Sequence, residues 1–318
     1  MFDRKKLTTY PIKLRQNKVK AAQFVKKIEP DDTVGAFIDK LPDILAAGDL
    51  KAIIRHWADA YKKGQPVIVA MGAHVIKCGL SPLLIELINQ GLISALALNG
   101  AGTVHDFEVS YLGETSEDVA VEIKEGRFGM VEETGRYINE AVIAGAKAGL
   151  GMGESIGQKI IDMANPYQSK SLLAACVKKN IPVTVHTAIG NDIIHMHPAC
   201  DGAALGKTSY QDFLTFAENL TKLENGGLYF NIGSAVVLPE VFLKAVSMVR
   251  NSGCKLDKMI TVNMDMQRQY RPLENVVKRP TNKGGQGYML LGHHEINLPL
   301  IAAGVFAKLN LEGKDAIF

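Results

Sequence analysis

Three histidines lie close together in the second half of this 318-residue chain. His186, His195 and His197 fall within a dozen residues, and a His-x-His pair in an extended segment places both rings on one face of the backbone. That arrangement suits a metal ion, but neither the spacing nor a carboxylate partner matches a zinc site. We therefore expect no bound metal, and acid–base and purely structural roles both stay open for these side chains.

Two further groups of histidines follow predicted strands. His105 comes shortly after the second predicted strand, and His293, His294 and Glu295 come directly after the last one. Imidazole gains and loses a proton near neutral pH, so these side chains could carry proton transfer. The predicted acid–base candidates are His105, His195, His197 and His294, with Asp201 or Glu295 orienting them.

A long basic segment follows the fifth predicted strand. Residues 268–287 carry five cationic side chains and one carboxylate, and long loops in α/β domains are usually functional. A basic loop above the strand ends would bind an anionic group such as a carboxylate or a phosphate, although a solvated surface loop stays open. We expect Arg268 and Arg271 to bind a substrate carboxylate. If the protein forms an imine with its substrate, Lys278 or Lys283 is the predicted lysine.

Strand-like and helix-like stretches alternate along most of the chain. Short apolar runs predict strands at 66–72, 93–102, 181–190, 226–237, 258–265 and 287–292, and amphipathic stretches predict helices at 33–46, 48–63, 81–91, 132–148, 154–164, 209–223, 239–253 and 298–309. Such alternation is typical of βαβ units and a parallel sheet with right-handed crossovers. We therefore predict an α/β fold with a doubly wound, mostly parallel sheet (65–318) that follows an N-terminal basic arm and helices (1–64).

The predicted strands end in glycines accompanied by polar residues. Five of the six strand ends include glycine, as in Gly72-Ala73-His74 and Asn99-Gly100-Ala101. Parallel sheets bind ligands beyond the carboxyl ends of their strands, where glycine lets the backbone approach a phosphate at a helix N-terminus. The repetition favours a nucleotide-sized ligand, although short loops need glycine in any case. The sequence contains no strict G-x-G-x-x-G after a strand and no Walker A, G-x-S-x-G or H-E-x-x-H stretch, so P-loop, hydrolase and zincin functions lack support.

The composition is that of an ordinary globular protein. Hydrophobic residues make up 47% and charged residues 22% of the chain, and the formal net charge is +3, so neither disorder nor a nucleic-acid partner is expected. No stretch suits a membrane span or a secretory signal. Four widely spaced cysteines without a C-x-x-C pair predict reduced thiols and a cytoplasmic location. The first 27 residues carry nine cations against one acid, which is more typical of a solvated or subunit-packing arm than of an anion-binding one.

Five stretches in the second half resemble deoxyhypusine synthases in order and spacing. They are HPACDGAALGK (197–207), NIGSAVV, VNMD, RPLENV and GHHEINLPLIAA. The earlier stretches MGAHVIKCG and NGAGTVHDFE match that family more loosely, and the second also resembles the NAD-binding part of archaeal- and cyanobacterial-type ornithine cyclodeaminases. The resemblance covers roughly residues 65–305. It implies a Rossmann-like sheet, bound NAD, a cytoplasmic location and a homotetramer.

The resemblance also implies which residues contact NAD. They are Gly72, Ala73, Asn99, Gly100, Ala101, Asp201, Gly233, Ser234, Asn263, Met264, His293 and His294. The synthases carry their imine-forming lysine in a Trp-Gly-Lys stretch soon after the RPLENV position, where this chain reads VKRPTNKGG. We therefore expect an NAD-dependent transferase or lyase that acts on a small amine or amino acid through an imine intermediate, and not deoxyhypusine synthesis itself. The alternatives are an ornithine-cyclodeaminase-type lyase and a catalytically inactive NAD-binding protein.

Overall fold

The computed structural model describes residues 2–310, which contain one six-stranded sheet. Its strands are β1 (Val67–Met71), β2 (Ala95–Asn99), β3 (Val183–His186), β4 (Gly227–Ile232), β5 (Met259–Asp265) and β6 (Gln286–Leu291). Every pair of neighbours is parallel, and the order is β3-β2-β1-β4-β5-β6. The predicted doubly wound parallel sheet is confirmed, and this strand order is typical of dinucleotide-binding folds.

Helices connect the strands and cover both faces of the sheet. Before the sheet come α1 (Val34–Lys40) and α2 (Leu45–Lys62); after β1 come α3 (His74–Lys77) and α4 (Ser81–Asn89); after β2 come α5 (Gly100–Leu112), α6 (Val119–Glu122), α7 (Glu132–Ala148), α8 (Met152–Asp162) and α9 (Leu172–Lys178). After β3 comes α10 (Gly202–Thr221), after β4 comes α11 (Val237–Asn251), after β5 comes α12 (Tyr270–Pro272) with a π-helical stretch at Leu273–Lys278, and after β6 comes α13 (His294–Leu309). Because all strands are parallel, their carboxyl ends lie at one edge of the sheet.

One face of the sheet packs on α2, α4, α5, α8, α9 and α13. Val69 and Leu96 belong to the large apolar cluster on this face. The ring of Trp57 on α2 lies 4.7 Å from the ring of Phe230, and its indole N–H donates to the Leu92 carbonyl at 3.0 Å. α2 therefore packs directly on the sheet, while the division into 1–64 and 65–318 stays a prediction.

The opposite face packs on α10 and α11. Ala70 and Ala97 present small side chains on this face of the central strands. The space beside them is filled by aromatic residues, and Tyr229 stacks on Phe242 of α11 with ring centroids 3.7 Å apart. Small and large residues thus interdigitate, as in other close-packed protein interiors.

One helix that the sequence pattern does not predict begins inside a predicted strand, and another helix begins earlier than predicted. α5 begins at Gly100, inside the stretch predicted as strand (93–102), because the Asn99 side chain accepts a hydrogen bond from the Gly102 amide and caps the helix. α13 begins at His294 and not at residue 298. The strand ends therefore lead straight into helices, which places helix N-termini at the ligand-binding edge.

α10 also begins earlier than predicted. It starts at Gly202 and not near residue 209, because the Asp201 carboxylate accepts hydrogen bonds from the amides of Ala203 and Ala204 at 2.9 and 3.0 Å. Asp201 is therefore the N-cap of this helix.

The N-terminal arm lies on the outside of the molecule. It contains three short 3₁₀ turns, at Arg4–Lys6, Ile12–Leu14 and Ala21–Gln23. The C-terminal end of the arm is attached to the rest of the chain by two backbone hydrogen bonds. The Asp43 amide donates to the Gln23 carbonyl and the Lys26 amide donates to the Lys40 carbonyl, both at 2.9 Å. Within residues 2–310, no helix has the length and apolar character that a membrane crossing requires.

Candidate functional site

The carboxyl ends of β1 and β4 form the switch point of the sheet, since the chain winds in opposite directions from these two neighbours. Their glycines lie in backbone contact, and a Cβ on Gly72 would lie 2.3 Å from the Gly233 carbonyl oxygen. Gly233 has a left-handed φ of +63°, and a Cβ there would lie 2.8 Å from Nε2 of His294. Glycine is therefore required at both strand ends, and His294 packs directly on the second one.

His294 is buried at this switch point, with 1% of its surface exposed. Its Nδ1 has no hydrogen-bond partner among the described residues, and its ring lies 6.0 Å from the ring of His74. Burial lowers the pKa of His294, so the ring is neutral at neutral pH. A neutral imidazole with an unpaired nitrogen can bind a polar group of a ligand.

A buried amide pair holds the end of β4. Asn231 lies opposite Asn263 of β5, and its Nδ2 donates to Asn263 Oδ1 at 2.6 Å and to the Ser234 carbonyl at 2.9 Å. The Ser234 hydroxyl accepts a hydrogen bond from the Leu238 amide at 3.3 Å. These bonds fix the loop 233–236, so that the N-terminus of the 15-residue helix α11 follows the strand end directly.

Two adjoining cavities lie on the side of β1, β2 and β3, and the first of them includes Ala101 and Asp192 beside the strand ends. The first has a volume of about 250 Å³ and is lined by Lys77, Ala101, Val104, His105, Glu108, Ser116, Glu117, Val119, Phe128, Asn191, Asp192 and Ile193. The second has a volume of about 300 Å³ and shares Glu108, Ser116 and Glu117 with the first. Together they have the size of a small-molecule site.

The second cavity is acidic and aromatic. Its lining includes Glu108, Glu114, Glu117, Glu133, Phe107 and Tyr111, and in the described part of the chain it includes no lysine or arginine. Carboxylates and aromatic faces both attract cations. This cavity therefore suits a ligand with a cationic group.

His105, Thr115 and Glu108 form a hydrogen-bonded chain between the two cavities. The Thr115 hydroxyl donates to Glu108 Oε2 at 2.5 Å, and its oxygen lies 2.6 Å from His105 Nδ1. Because the Thr115 hydroxyl donates its single proton to Glu108, its oxygen can only accept a hydrogen bond from His105. His105 Nδ1 therefore carries the ring proton, and His105 Nε2 is left as an acceptor. Burial, assisted by the nearby Lys77, lowers the pKa of His105 to about 4. His105 is therefore a neutral base of fixed tautomer beside the first cavity.

Asp192 lies over the first turn of α5. A Cβ on Gly100 would lie 2.2 Å from Asp192 Oδ2, while Asp192 Oδ1 has no hydrogen-bond partner within residues 2–310. The side chain is 4% exposed, and burial raises its pKa. A carboxylate thus already lies at the helix N-terminus formed by Asn99, Gly100 and Ala101, where a phosphate would compete with it.

Asp106 is separate from this site, although it follows His105 in the sequence. It is fully buried and accepts hydrogen bonds from the Ser171 hydroxyl at 2.6 Å and from the Leu172 and Leu173 amides at 2.7 and 3.2 Å. Burial raises the pKa of Asp106 to about 6. Asp106 therefore caps α9, a helix that the sequence pattern did not predict.

His195 and His197 lie in the connection between β3 and α10. His195 Nδ1 accepts a hydrogen bond from the Gly190 amide at 3.2 Å. His197 is 7% exposed, with Nε2 3.4 Å from Glu132 Oε2 and its ring against Gly135 of α7. Neither ring lines the two cavities, and the described residues contain no group of three or more side chains that could hold a metal ion.

The remaining residues predicted at the strand ends lie at the switch point. Ala73 precedes α3, and Met264 is buried in β5. His293 is the N-cap residue of α13, and its Nδ1 lies 3.7 Å from Glu295 Oε1. His293 and Glu295 are both exposed, so they face solvent beside the buried His294.

The basic segment runs away from the strand ends. Arg268 is exposed just after β5, and Arg271 Nε lies 3.3 Å from Glu240 Oε1 on α11. Lys278 pairs with Glu274 at 2.8 Å. Lys283 precedes Gly284, whose added Cβ would lie 3.1 Å from the Asp257 carbonyl just before β5 begins. Lys283 therefore lies at the opposite edge of the sheet.

Sequence reasoning missed four residues that the structure brings to the cavities: Lys77, Glu108, Thr115 and Asp192. Glu108 lies three residues after His105, which is the spacing of neighbours on a helix face. Recognising Asn99 as an N-cap would have revealed that helix. No local pattern predicts the position of Asp192, which reaches α5 from a loop about 90 residues further along the chain.

No protein-family model matches the sequence, and no curated protein matches it. The structure resembles ArgZ, an arginine dihydrolase from cyanobacteria, with a TM-score of 0.50 and 16% identity over 83% of this chain and 32% of ArgZ. It also resembles a conserved candidate LOR/SDH protein from Methanococcus maripaludis, with a TM-score of 0.50 and 15% identity over 89% of this chain and 72% of that one.

A candidate deoxyhypusine synthase from Entamoeba histolytica is a third similar structure. Its TM-score is 0.51, with 11% identity over 89% of this chain and 97% of that one. The match thus spans about a third of ArgZ but nearly the whole length of the Entamoeba protein. At these identities the likeness shows a shared fold.

Proposed function

We propose that this chain is an NAD-dependent enzyme that acts on a small amine or amino acid through an imine intermediate. The observation that carries the proposal is the switch point, where two glycine strand ends meet beside the buried, neutral His294. Open sheets with this strand order bind dinucleotides at such a point. The resemblance to deoxyhypusine synthases supports the same cofactor.

The residues at the switch point fit NAD. Gly72 and Gly233 expose backbone without side chains, and α11 begins immediately afterwards, so its positive end can stabilise a phosphate. Ser234 and the unpaired Nδ1 of His294 offer polar atoms to the cofactor. Bound NAD would supply a hydride acceptor for the carbon that bears the substrate nitrogen.

The two adjoining cavities would hold the substrate. Glu114 and Glu133 in the second cavity would attract a cationic amine, by about 4 kcal/mol for a unit charge pair at 4 Å near a protein surface. In the first cavity, His105 Nε2 would take a proton from the neutral amine nitrogen of the substrate as the hydride leaves the neighbouring carbon, which yields the imine. Lys77 lines this cavity, so it is the lysine best placed for a covalent imine with the substrate.

The test is a panel of amines and amino acids assayed for NADH formation by absorbance, with product analysis. We expect amine-dependent formation of NADH, or of a product whose amine group has been transferred. Release of ammonia together with proline from ornithine would instead indicate a cyclodeaminase-type lyase. NAD binding without turnover of any amine would indicate a binding protein that lacks catalysis and would contradict the proposed activity.

A further inference from the structure

Asp192 is the most weakly bonded of three buried carboxylates that lie at helix N-termini. Asp106 at the start of α9 accepts hydrogen bonds at 2.6, 2.7 and 3.2 Å, and Asp212 accepts hydrogen bonds from two backbone amides at 2.9 and 2.8 Å. Asp192 accepts a hydrogen bond from the Ala188 amide at 3.4 Å, and within residues 2–310 its Oδ1 has no partner. Asp106 and Asp212 are therefore firmly held as caps, whereas Asp192 is not.

The first turn of α5 is shaped to hold an anionic group. A Cβ on Gly100 would lie 2.2 Å from both Cγ and Oδ2 of Asp192, so only glycine lets a carboxylate lie on this turn. The first amides of a helix have no partner within it, and Asn99 takes the amide of Gly102. The amides of Gly100 and Ala101 thus remain for an anion, and we call this pair the α5 anion site.

The α5 anion site borders the first cavity. Ala101, Asp192 and His105 all line this cavity, which has a volume of about 250 Å³. Because α5 is 13 residues long, the positive end of its dipole favours negative charge at this point. A carboxylate that enters the cavity therefore reaches the site once the Asp192 side chain has moved away.

Moving Asp192 breaks little. Burial raises the pKa of Asp192, and the amides of Ala188 and Ala101 offset only part of that rise, so its carboxylate is better solvated outside than in its present position. A ligand carboxylate is not tethered to a loop, so it can align both oxygens with the two amides. The exchange thus replaces a poorly bonded anion with a well-bonded one.

The loop that carries Asp192 leaves room for this movement. It connects β3 to a 3₁₀ turn at Ile193–His195. Ile189 is 74% exposed, and a Cβ on Gly190 would meet nothing within 4 Å. Asn191 is exposed as well. The tip of the loop is therefore free of core packing, and Asp192 can turn outward without disturbing the sheet.

We propose that Asp192 occupies the place of a substrate carboxylate, and that the substrate is an amino acid and not a diamine. This inference rests on the proposed function, which assigns the cavities to the substrate. The substrate carboxylate binds the amides of Gly100 and Ala101, and its amine lies toward His105, about 7.5 Å further along α5. The two amides match the two oxygens of a carboxylate, while the cofactor phosphates are assigned to α11.

Calorimetric titration of the full-length protein without NAD tests the proposal. The probes are L-lysine and 1,5-diaminopentane, which share both amines and the carbon chain and differ only in the carboxylate. The second amine of each suits the acidic second cavity. Inorganic phosphate is the third probe, since it is an anion of the cofactor type.

Asp192→Ala should change the affinities for the first two probes in opposite directions. The variant removes the competing carboxylate from the α5 anion site, so the Kd of L-lysine should fall by about tenfold. The Kd of 1,5-diaminopentane should not fall, because the variant also removes a negative charge that attracts cations. A merely structural Asp192 would not separate the two probes.

Two further variants serve as controls. Asp192→Asn fills the same space without the charge, and it should give a smaller gain for L-lysine of the same sign. Asp162→Ala removes an exposed carboxylate of α8 and should leave both Kd values as in the wild type. The midpoint of urea unfolding of Asp192→Ala should stay near that of the wild type, because Asp192 is weakly bonded.

Three results would overturn the proposal. An unchanged or raised Kd for L-lysine in Asp192→Ala would mean that Asp192 does not compete with a carboxylate. A gain for inorganic phosphate without a gain for L-lysine would assign the α5 anion site to the cofactor. Absence of L-lysine binding to both proteins would remove amino acids from the cavities. Since the titrations contain no NAD, none of these results bears on NAD binding at the switch point, and the two proposals fail separately.

Discussion

The two halves of the sheet differ in the chemical groups that their strand ends present to a ligand. Around β4, β5 and β6, the strand ends present backbone, a helix N-terminus and a buried histidine nitrogen without a partner. Around β1, β2 and β3, the polar side chains are already paired in the chain of His105, Thr115 and Glu108, and they border cavities. We propose that the β4–β6 half binds a cofactor by its backbone and that the β1–β3 half holds and deprotonates a substrate. We call them the cofactor half and the substrate half.

This difference separates the proposed cofactor and substrate roles, which the glycine pattern of the strand ends does not distinguish. The glycine strand ends all look alike in sequence, and they predict one continuous cradle. In the structure, Asp192 lies over the end of β2, whereas within residues 2–310 no carboxylate packs on Gly72 or Gly233 at the ends of β1 and β4. The same glycine pattern therefore serves two different environments, and variants in each half should have different effects.

The largest effect is expected for His105→Ala. Loss of the base should lower kcat for amine-dependent NADH formation by about 10²–10⁴-fold, while NAD affinity stays unchanged because the switch point is untouched. His56→Ala is the matched control, since His56 contacts Tyr288 on the other half. Steady-state kinetics and calorimetric NAD titration measure both quantities. An equal loss in the two variants would contradict the division of roles.

Asp106→Ala tests whether the neighbouring residue is structural. The substitution leaves the Ser171 hydroxyl and the Leu172 and Leu173 amides without their acceptor, so the free energy of unfolding should fall by about 3 kcal/mol. Urea unfolding followed by circular dichroism measures the change. The folded variant should keep the NAD affinity and kcat of the wild type. Unchanged stability with lost activity would place Asp106 in the site instead.

The pH dependence of stability tests a buried carboxylate of α10, Asp212, which packs on the edge strand β3. Asp212 is 2% exposed and accepts hydrogen bonds from the Gly153 and Val185 amides at 2.9 and 2.8 Å. Burial raises its pKa from 3.8 to about 7. Between those pH values the folded state holds a proton that the unfolded state has lost, so this residue makes the free energy of unfolding fall as pH rises.

The comparison with Asp212→Asn isolates that contribution. The stability of the wild type relative to Asp212→Asn should fall by about 3 kcal/mol between pH 4 and pH 7. Glu218→Gln, on the exposed side of the same helix, is the matched charge control. Urea unfolding at several pH values measures both curves. A relative stability that rises with pH would contradict the sign of the shift.

Two glycines with the same φ test whether Gly233 belongs to the proposed cofactor site. Gly64 and Gly233 both have φ +63°, but an added Cβ meets nothing within 4 Å at Gly64 and meets His294 at Gly233. Alanine at either position should cost about 1–2 kcal/mol of stability. Only Gly233→Ala should weaken NAD binding, by about tenfold or 1.4 kcal/mol. Equal NAD affinity in both variants would remove His294 and Gly233 from the cofactor site.

The sheet could be predicted from sequence because its signals are local. The run Val67–Met71 is apolar throughout and is buried at every position, as expected for a central parallel strand. The alternation of such runs with helices then requires a doubly wound sheet. The helix α5 was not predicted, although its start carries a local signal, because Asn99 caps the Gly102 amide three residues away.

The substrate half could not be predicted because its determinants are distant in sequence. Asp106 caps α9 across 65 residues, and Asp192 covers α5 from the loop after β3. The basic segment suggested an anion site, and two of its cations pair with acids: Arg271 with Glu240 of α11, and Lys278 with Glu274 of its own turn. Charge composition alone does not reveal which side of the sheet a segment will occupy.

A crystal structure of the protein grown with NAD⁺ tests the central claim most directly. We predict dinucleotide density at the carboxyl ends of β1 and β4, in contact with Gly72, Gly233, Ser234 and His294, with the nicotinamide directed toward the His105 cavity. Density for NAD at any other place, or an empty switch point at saturating NAD⁺, would contradict the account.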